Sequence, residues 1–263
     1  MKIINANTRT QSIEGGQRVQ SLTLGQGRQS INLVAEGPYT SDPYDRIEAL
    51  TPDLFAQFRY PVYNNTQVLF RDPACTLPVF DAGNHTIGGV KDPFTGAIIL
   101  TQADAAKRPL WMGPLVGANW DGIDDYFDSV VNYTGSNLSW AASYKNRTGG
   151  GILGAESSPS SPLQRATKAW PNAATGASIG ISSILGDHLL LHTYDYAAND
   201  YIFRLDGTQD AQSSISVSAP MGDIPMTLGR WLGEHLEATV SEVAVWKRAL
   251  TVSEAEIVEG VLQ

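Results

Sequence analysis

The sequence predicts an all-β protein: an antiparallel two-sheet jelly-roll sandwich with a short C-terminal helix and an N-terminal arm. Three observations carry this. Short runs in which apolar and polar residues alternate recur along the 263 residues, the period of a half-buried strand. Turn residues separate those runs, with 25 Gly and 14 Pro in the chain. A capped helical period stands out only at the C-terminal end, so the strand–helix alternation of a parallel α/β sheet is missing.

Residues 1–34 differ from the rest. Lys2, Arg9, Arg18 and Arg28 stand against Glu14 alone, a net +3 within a chain of net −9, so the remainder carries −12. Two short alternating runs, 18–24 and 30–34, lie in a stretch rich in Gln, Ser and Gly. The segment reads as an arm that docks on another protein, or as a solvated terminus. Residues 35–56 are turn-rich, with Gly37-Pro38, Asp42-Pro43 and Thr51-Pro52. The last pair predicts a helix over 52–57, Thr51 capping it and Pro52 at its first position.

Strands are predicted over 56–63 and 67–71, then an irregular stretch over 72–115 with one apolar patch at 98–100. Strands follow over 125–131 and 138–144. In the second, Leu138, Trp140, Ala142 and Tyr144 alternate with Ser139, Ala141 and Ser143. After a polar loop at 157–162, strands are expected over 177–185, 188–195, 201–205, 213–218, 226–229 and 237–247. The runs 188–195 and 201–205 read as a hairpin turning at 197–200. In the last strand Val243 and Val245 point one way and Glu242, Ala244 and Trp246 the other. Both sets are bulky or apolar, which predicts cover on both faces. The helix over 253–262 carries overlapping capping boxes, Thr251 with Glu254 and Ser253 with Glu256. Ala255, Val258 and Leu262 form its apolar stripe, and Glu254, Glu256 and Glu259 its polar face or first turn. The chain thus divides into an attachment segment, residues 1–50, and a sandwich, residues 51–263.

A hydrophobic share of 42% and a charged share of 17% suit a globular protein. The net charge of −9 and a pI near 4.8 argue against nucleic acid and anionic membrane as partners. No apolar run approaches the length of a membrane span. The single Cys75 excludes an internal disulfide framework and reads as a small half-buried thiol. The first residues, Met1 to Asn7, hold no apolar run that would act as an export signal, so the chain is expected to be made in a cytosol.

Two stretches resemble the laminin-G-like, concanavalin A-like lectin/glucanase superfamily. Arg108-Pro109 followed by Trp120-Asp121-Gly122-Ile123-Asp124-Asp125-Tyr126-Phe127 is similar to the family's Arg-Pro and Phe-Asp-Gly-x-Asp-Asp-Tyr strand–turn–strand, with Trp120 in place of Phe. Ser241 to Thr251, with Arg248-Ala249-Leu250-Thr251, is similar to its closing strand and capped helix. Leu205-Asp206-Gly207-Thr208 and Thr227-Leu228-Gly229 fall in order between them. The resemblance implies a concanavalin A-like sandwich. Combined with a single Cys and an unmatched arm, it also looks like a bacteriophage virion protein of tail, baseplate or head spike. That likeness implies other virion proteins as partners through residues 1–34, host-surface polysaccharide as ligand, and an oligomeric assembly.

Family members that cleave β-glucans carry a Glu-x-Asp-x-x-Glu strand, two carboxylates of which act as nucleophile and acid/base. That pattern is absent here. No nucleophile elbow, phosphate loop or paired metal-binding His appears either. A non-enzymatic binding protein is therefore expected, with a purely structural subunit and a glycan hydrolase as alternatives. For carbohydrate the candidates are Tyr194, Asp195, Tyr196, Asn199, Asp200 and Tyr201 around the hairpin tip, and Trp170 beside Lys168 and Asn172. Each set equally suits ordinary strand and turn packing. Asp121, Asp124 and Asp125 read either as a Ca²⁺ site or as a turn whose aspartates cap backbone N–H groups.

Overall fold

The computed structural model describes residues 44–64, 66–79, 85–135, 137–155, 163–165, 167–170, 178–214 and 221–263. Chain contacts divide the molecule into Met1–Asp45 and Arg46–Gln263, and nearly all the described residues belong to the second unit. The expectations for the arm, residues 1–34, and for the polar loop 157–162 lie outside the described residues.

Among the described residues two antiparallel sheets dominate. The larger runs, in spatial order, Thr208–Ser214, Asp200–Leu205, Gly186–Asp195, Leu138–Gly149, Glu237–Trp246, Ala118–Asp121, Leu110–Trp111 and His85–Thr86. Leu54–Gln57 also pairs with Glu237–Trp246. The smaller runs Leu153–Gly154, Met221–Leu228, Phe127–Gly135, Ile98–Thr101, Gly89–Lys91 and Leu69–Phe70. Neighbours that are remote in sequence, such as Leu138–Gly149 beside Glu237–Trp246, mark crossovers between the sheets rather than a simple meander.

Alternation along the strands explains the layers. Trp140 pairs with His192 and with Val245, so these three share one face of the large sheet. Ser139 pairs with Thr193 and Trp246 on the other face. On the first face lies an apolar interior; Trp140 and Val243 are 1% and 0% exposed. Phe127 of the small sheet meets Trp120 of the large one, ring centroids 6.1 Å apart, and Phe58 closes the cluster at 5.3 Å from Trp120. Such aromatic packing contributes beyond the apolar area it removes from water.

The second face carries the C-terminal helix, Val252–Leu262. Its N-terminus forms one of the two predicted capping boxes, the one between Thr251 and Glu254; Ser253 lies inside the helix. Ala255, Val258 and Leu262 are buried as the stripe requires. Glu259 is a correction. It sits not on a polar face but only 4% exposed, where its carboxylate accepts from Arg204 Nε and Nη2 at 2.7 and 2.8 Å. An i,i+4 step from Ala255 puts Glu259 on the buried stripe, and Arg204 on the sheet below supplies the charge that makes this tolerable. The helix packs on Gly186–Asp195 and Leu138–Gly149, while Leu50 O accepts from Trp246 Nε1 and Arg59 meets Glu242 on the same face of Glu237–Trp246; all residues of that strand but Glu237 are buried.

The predicted helix over 52–57 is also corrected. Leu54–Gln57 is a strand with every residue buried, and the short helix lies earlier, at Asp45–Glu48. Pairing with Glu237–Trp246 and burial on both faces outweigh a local cap signal worth about 1 kcal/mol. The run predicted over 56–63 is broken after Gln57 and resumes as Val62–Tyr63. Cys75 is buried, more fully than the half-buried thiol expected, and burial pushes its thiol up to about 11. No described helix is long and apolar enough to cross a membrane.

Candidate functional site

The hairpin of Gly186–Asp195 and Asp200–Leu205 forms as the sequence predicts, but its candidate ligand groups separate. Tyr194 and Tyr201 are directly paired and 4% and 1% exposed. They are corrected from sugar platforms to core, because their strand parity turns them inward beside His192, whose Nδ1 meets the Tyr201 hydroxyl. The polar groups at the tip are used by the tip. Asp195 Oδ1 accepts from the N–H groups of Ala197 and Ala198 at 2.9 and 3.1 Å, an Asx turn. Asn199 takes a left-handed φ of 53°, and both Asp200 oxygens accept from Gln212 Nε2 at 2.9 Å. Tyr196 stays half-buried, its N–H donating to Asn137 Oδ1. Trp170 lies in the strand Lys168–Trp170, opposite Leu163; its side chain is outside the described residues.

The aspartate turn stands differently. It continues from Ala118–Asp121, where Asp121 pairs with Glu237, and Gly122 turns the chain with a φ of 79° while its N–H donates to Leu236 O. Asp121 Oδ1 accepts from Ile123 N at 2.8 Å and, more loosely, from Asp124 N at 3.4 Å; Asp125 Oδ2 accepts from Asp121 N at 3.1 Å. These bonds are those of the expected turn, in which aspartates cap backbone N–H groups. The turn uses one oxygen of Asp121 and one of Asp125, yet one oxygen from each of the three carboxylates lies within 4.8 Å of the others. Burial, reinforced by the negative charges of Asp121 and Asp124, pushes the Asp125 carboxyl up to about 6. Hard oxygen donors this close suit Ca²⁺, which takes six to eight oxygens. Carboxylates that repel one another would be relieved by the cation.

Beside this turn lies a second hairpin that the sequence reading did not single out, Arg230–Trp231 paired with Glu234–His235. The Arg230 guanidinium carbon stands 3.5 Å over the Tyr126 ring, a cation–π contact, and the His235 ring is 6.5 Å from Tyr126. Tyr126, Arg230, Trp231, Glu234 and His235 are all partly exposed. The turn carries Tyr126 to the rim, and Phe127, the next residue, takes the buried place. The legible signal was Gly229-Arg230-Trp231-Leu232-Gly233: two glycines bracketing Arg-Trp-Leu is a turn that presents an aromatic. Gly229, with a φ of 89°, also packs on Trp120, where a side-chain Cβ would fall 2.4 Å from the indole nitrogen.

No known protein family matches the chain, and no curated protein matches it. Solved structures do. The carbohydrate-binding module CBM40 of the Ruminococcus gnavus IT-sialidase, bound to α2,3-sialyllactose, aligns over 49% of this chain and 85% of its own length, at 13% identity and a TM-score of 0.38. A heptameric SAP-like pentraxin from Limulus polyphemus aligns over 52% and 78%, at 14% identity and a TM-score of 0.40. Trypanosoma rangeli sialidase aligns over 73% of this chain and 35% of its own, at 14% identity and a TM-score of 0.47. At these values none of them says what this chain binds. Its own strand order and layers make it an antiparallel two-sheet β-sandwich of the concanavalin A-like, jelly-roll kind, closed by a C-terminal helix.

Proposed function

We propose that the chain is a non-enzymatic glycan-binding protein whose site is the Asp121–Tyr126 turn together with the Arg230–His235 hairpin. The observation that carries this reading is the juxtaposition at one rim of three clustered carboxylates with a partly exposed Tyr126 under the Arg230 guanidinium. Sugars are recognised by such mixtures: ring faces on aromatics, and hydroxyls on carboxylates and guanidinium. Asp121, Asp124 and Asp125 would hold Ca²⁺, which supplies open coordination positions for hydroxyl oxygens. The residues themselves orient the sugar: Tyr126 and His235 as flanking rings, Arg230 as a donor held flat. Single sites of this kind are weak and gain from multivalent display. That fits an adhesion subunit on a virion, carried by the basic segment 1–34 and directed at host-surface polysaccharide.

A glycan array probed with and without Ca²⁺, beside a reducing-sugar release assay, tests this. Binding that needs Ca²⁺, fails in the Asp121→Asn/Asp124→Asn variant and releases no sugar is expected. Ca²⁺ binding without any glycan would leave a structural subunit, and sugar release would make the protein a hydrolase. Incorporation of a chain lacking residues 1–34 into the assembly would remove the attachment role.

A further inference from the structure

A second site lies on the helix-bearing face of the large sheet and shares no residue with the turn at the rim. An open cleft of about 440 Å³ is bounded by Arg59 on one side and by Gln263 and Asp206 on the other, a volume within the range of small-molecule sites. Its floor follows the ladder: Ser143 pairs with Leu189 on one neighbouring strand and with the fully buried Glu242 on the other.

The chemistry of the cleft narrows its ligand. Arg59 Nε lies 2.8 Å from Glu242 Oε1, which anchors the guanidinium over the floor. Its two Nη groups have no acceptor among the described residues. His188 is closed off, its ring nitrogens facing Asp206 at 2.8 Å and Leu185 O at 3.2 Å. Asp187 gives one oxygen to Asn146 N–H and keeps the other. Lys145, Ser143 and Gln263 have no side-chain partner among the described residues. What remains is a ring of open donors with a few acceptors, beside the exposed side chain of Leu115. Three carboxylates, of Glu242, Asp187 and Asp206, stand against two permanent cations, so the cleft has no positive surplus to attract an anion.

We infer that this cleft binds a neutral polyhydroxylated ligand of monosaccharide size, without a metal. Hydroxyl groups both donate and accept, so one ring can meet the Arg59 fork, Lys145 and Ser143 on one edge and Asp187 on another. A carboxylate would meet the acids, and an apolar ligand would strand the donors.

The test is an amide-resolved NMR titration of the full chain, in EDTA so that the rim turn is silent. The probes are the methyl glycosides of glucose, mannose and galactose, with glucuronate and cyclohexanol as controls. Saturable shifts of the Ser143, Lys145 and Asp187 amides with at least one neutral glycoside are expected at millimolar concentration. Lys145→Ala and Ser143→Val, both at surface-facing positions, weaken that binding about tenfold in combination while leaving the melting temperature unchanged. The inference is overturned if no neutral glycoside moves those amides, if glucuronate or cyclohexanol moves them at lower concentration, or if the folded double variant binds as well as the native chain.

Discussion

Trp140 and His192 stack across the junction of Leu138–Gly149 and Gly186–Asp195, with ring centroids 4.4 Å apart and planes inclined by 13°. Phe203 meets the imidazole edge-on at 4.7 Å, and the Tyr201 hydroxyl meets its Nδ1. His192 is thus a polar ring set in the middle of an apolar face, 2% exposed. Burial, aided by the positive charge of Arg147, holds it well below the usual imidazole range, and burial holds the Tyr201 phenol well above its own. Both rings are neutral in the fold.

Acid should therefore loosen the sandwich through His192. In the unfolded chain this residue takes a proton below its ordinary value of 6.5; in the fold it does not. The unfolded state then binds more protons, so stability falls as pH drops below about 6.5, by up to about 1.4 kcal/mol per pH unit. Urea unfolding at successive pH values reads this directly. His192→Phe, of similar shape, should flatten the slope; identical slopes in both proteins would assign the acid loss elsewhere.

The helix is held to the sheet by a charge pair that neither partner can lose alone. Glu259→Ala leaves the Arg204 guanidinium, 9% exposed, without its carboxylate, at an expected cost of about 3–5 kcal/mol. Arg204→Met with Glu259→Leu, which replaces the pair by apolar groups of similar volume, should recover most of that. Chemical denaturation of the single and double variants measures both. Equal stability of Glu259→Ala and the native protein would mean that the pair adds nothing.

Gly229→Ala tests the link between the core and the candidate site. The left-handed backbone and a Cβ 2.4 Å from the Trp120 indole nitrogen require either the hairpin or the indole to shift. Destabilisation of about 2–4 kcal/mol is expected, with a change in Trp fluorescence. A substitution that leaves both the melting temperature and the spectrum unaltered would show the contact to be slack.

Asp125 gives a signed test of the carboxylate cluster. Its folded-state value, raised to about 6, lies above the ordinary 3.8, so the fold carries a penalty at pH 7 that disappears once the pH is below about 3.8. Asp125→Asn, whose amide oxygen can still accept from Asp121 N–H, should be more stable than the native chain at pH 7 and no more stable at pH 3.5. In saturating Ca²⁺ the order at pH 7 should reverse, since a cation stabilises only the carboxylate form. Calorimetry with and without Ca²⁺ reads all three conditions.

Strand alternation, turn residues and one capping box were enough to read the class of fold, the hairpin ending at Leu205 and the Thr251 cap from the chain alone. These depend on contacts between near neighbours, or on a period that any partner sheet would satisfy. The order of strands, the inward turn of Tyr194 and Tyr201, the burial of Glu259 on Arg204, and the strand at Leu54–Gln57 required the folded molecule. Each hangs on a partner far away in sequence: Leu54–Gln57 on Glu237–Trp246, Glu259 on a residue 55 positions earlier. The same holds for the two candidate sites. Asp121, Asp124 and Asp125 were visible because they are adjacent, whereas Arg230 over Tyr126 and Arg59 beside Ser143 arise only when crossovers bring separate strands side by side, since a local pattern shows which face a residue takes but not what it will face.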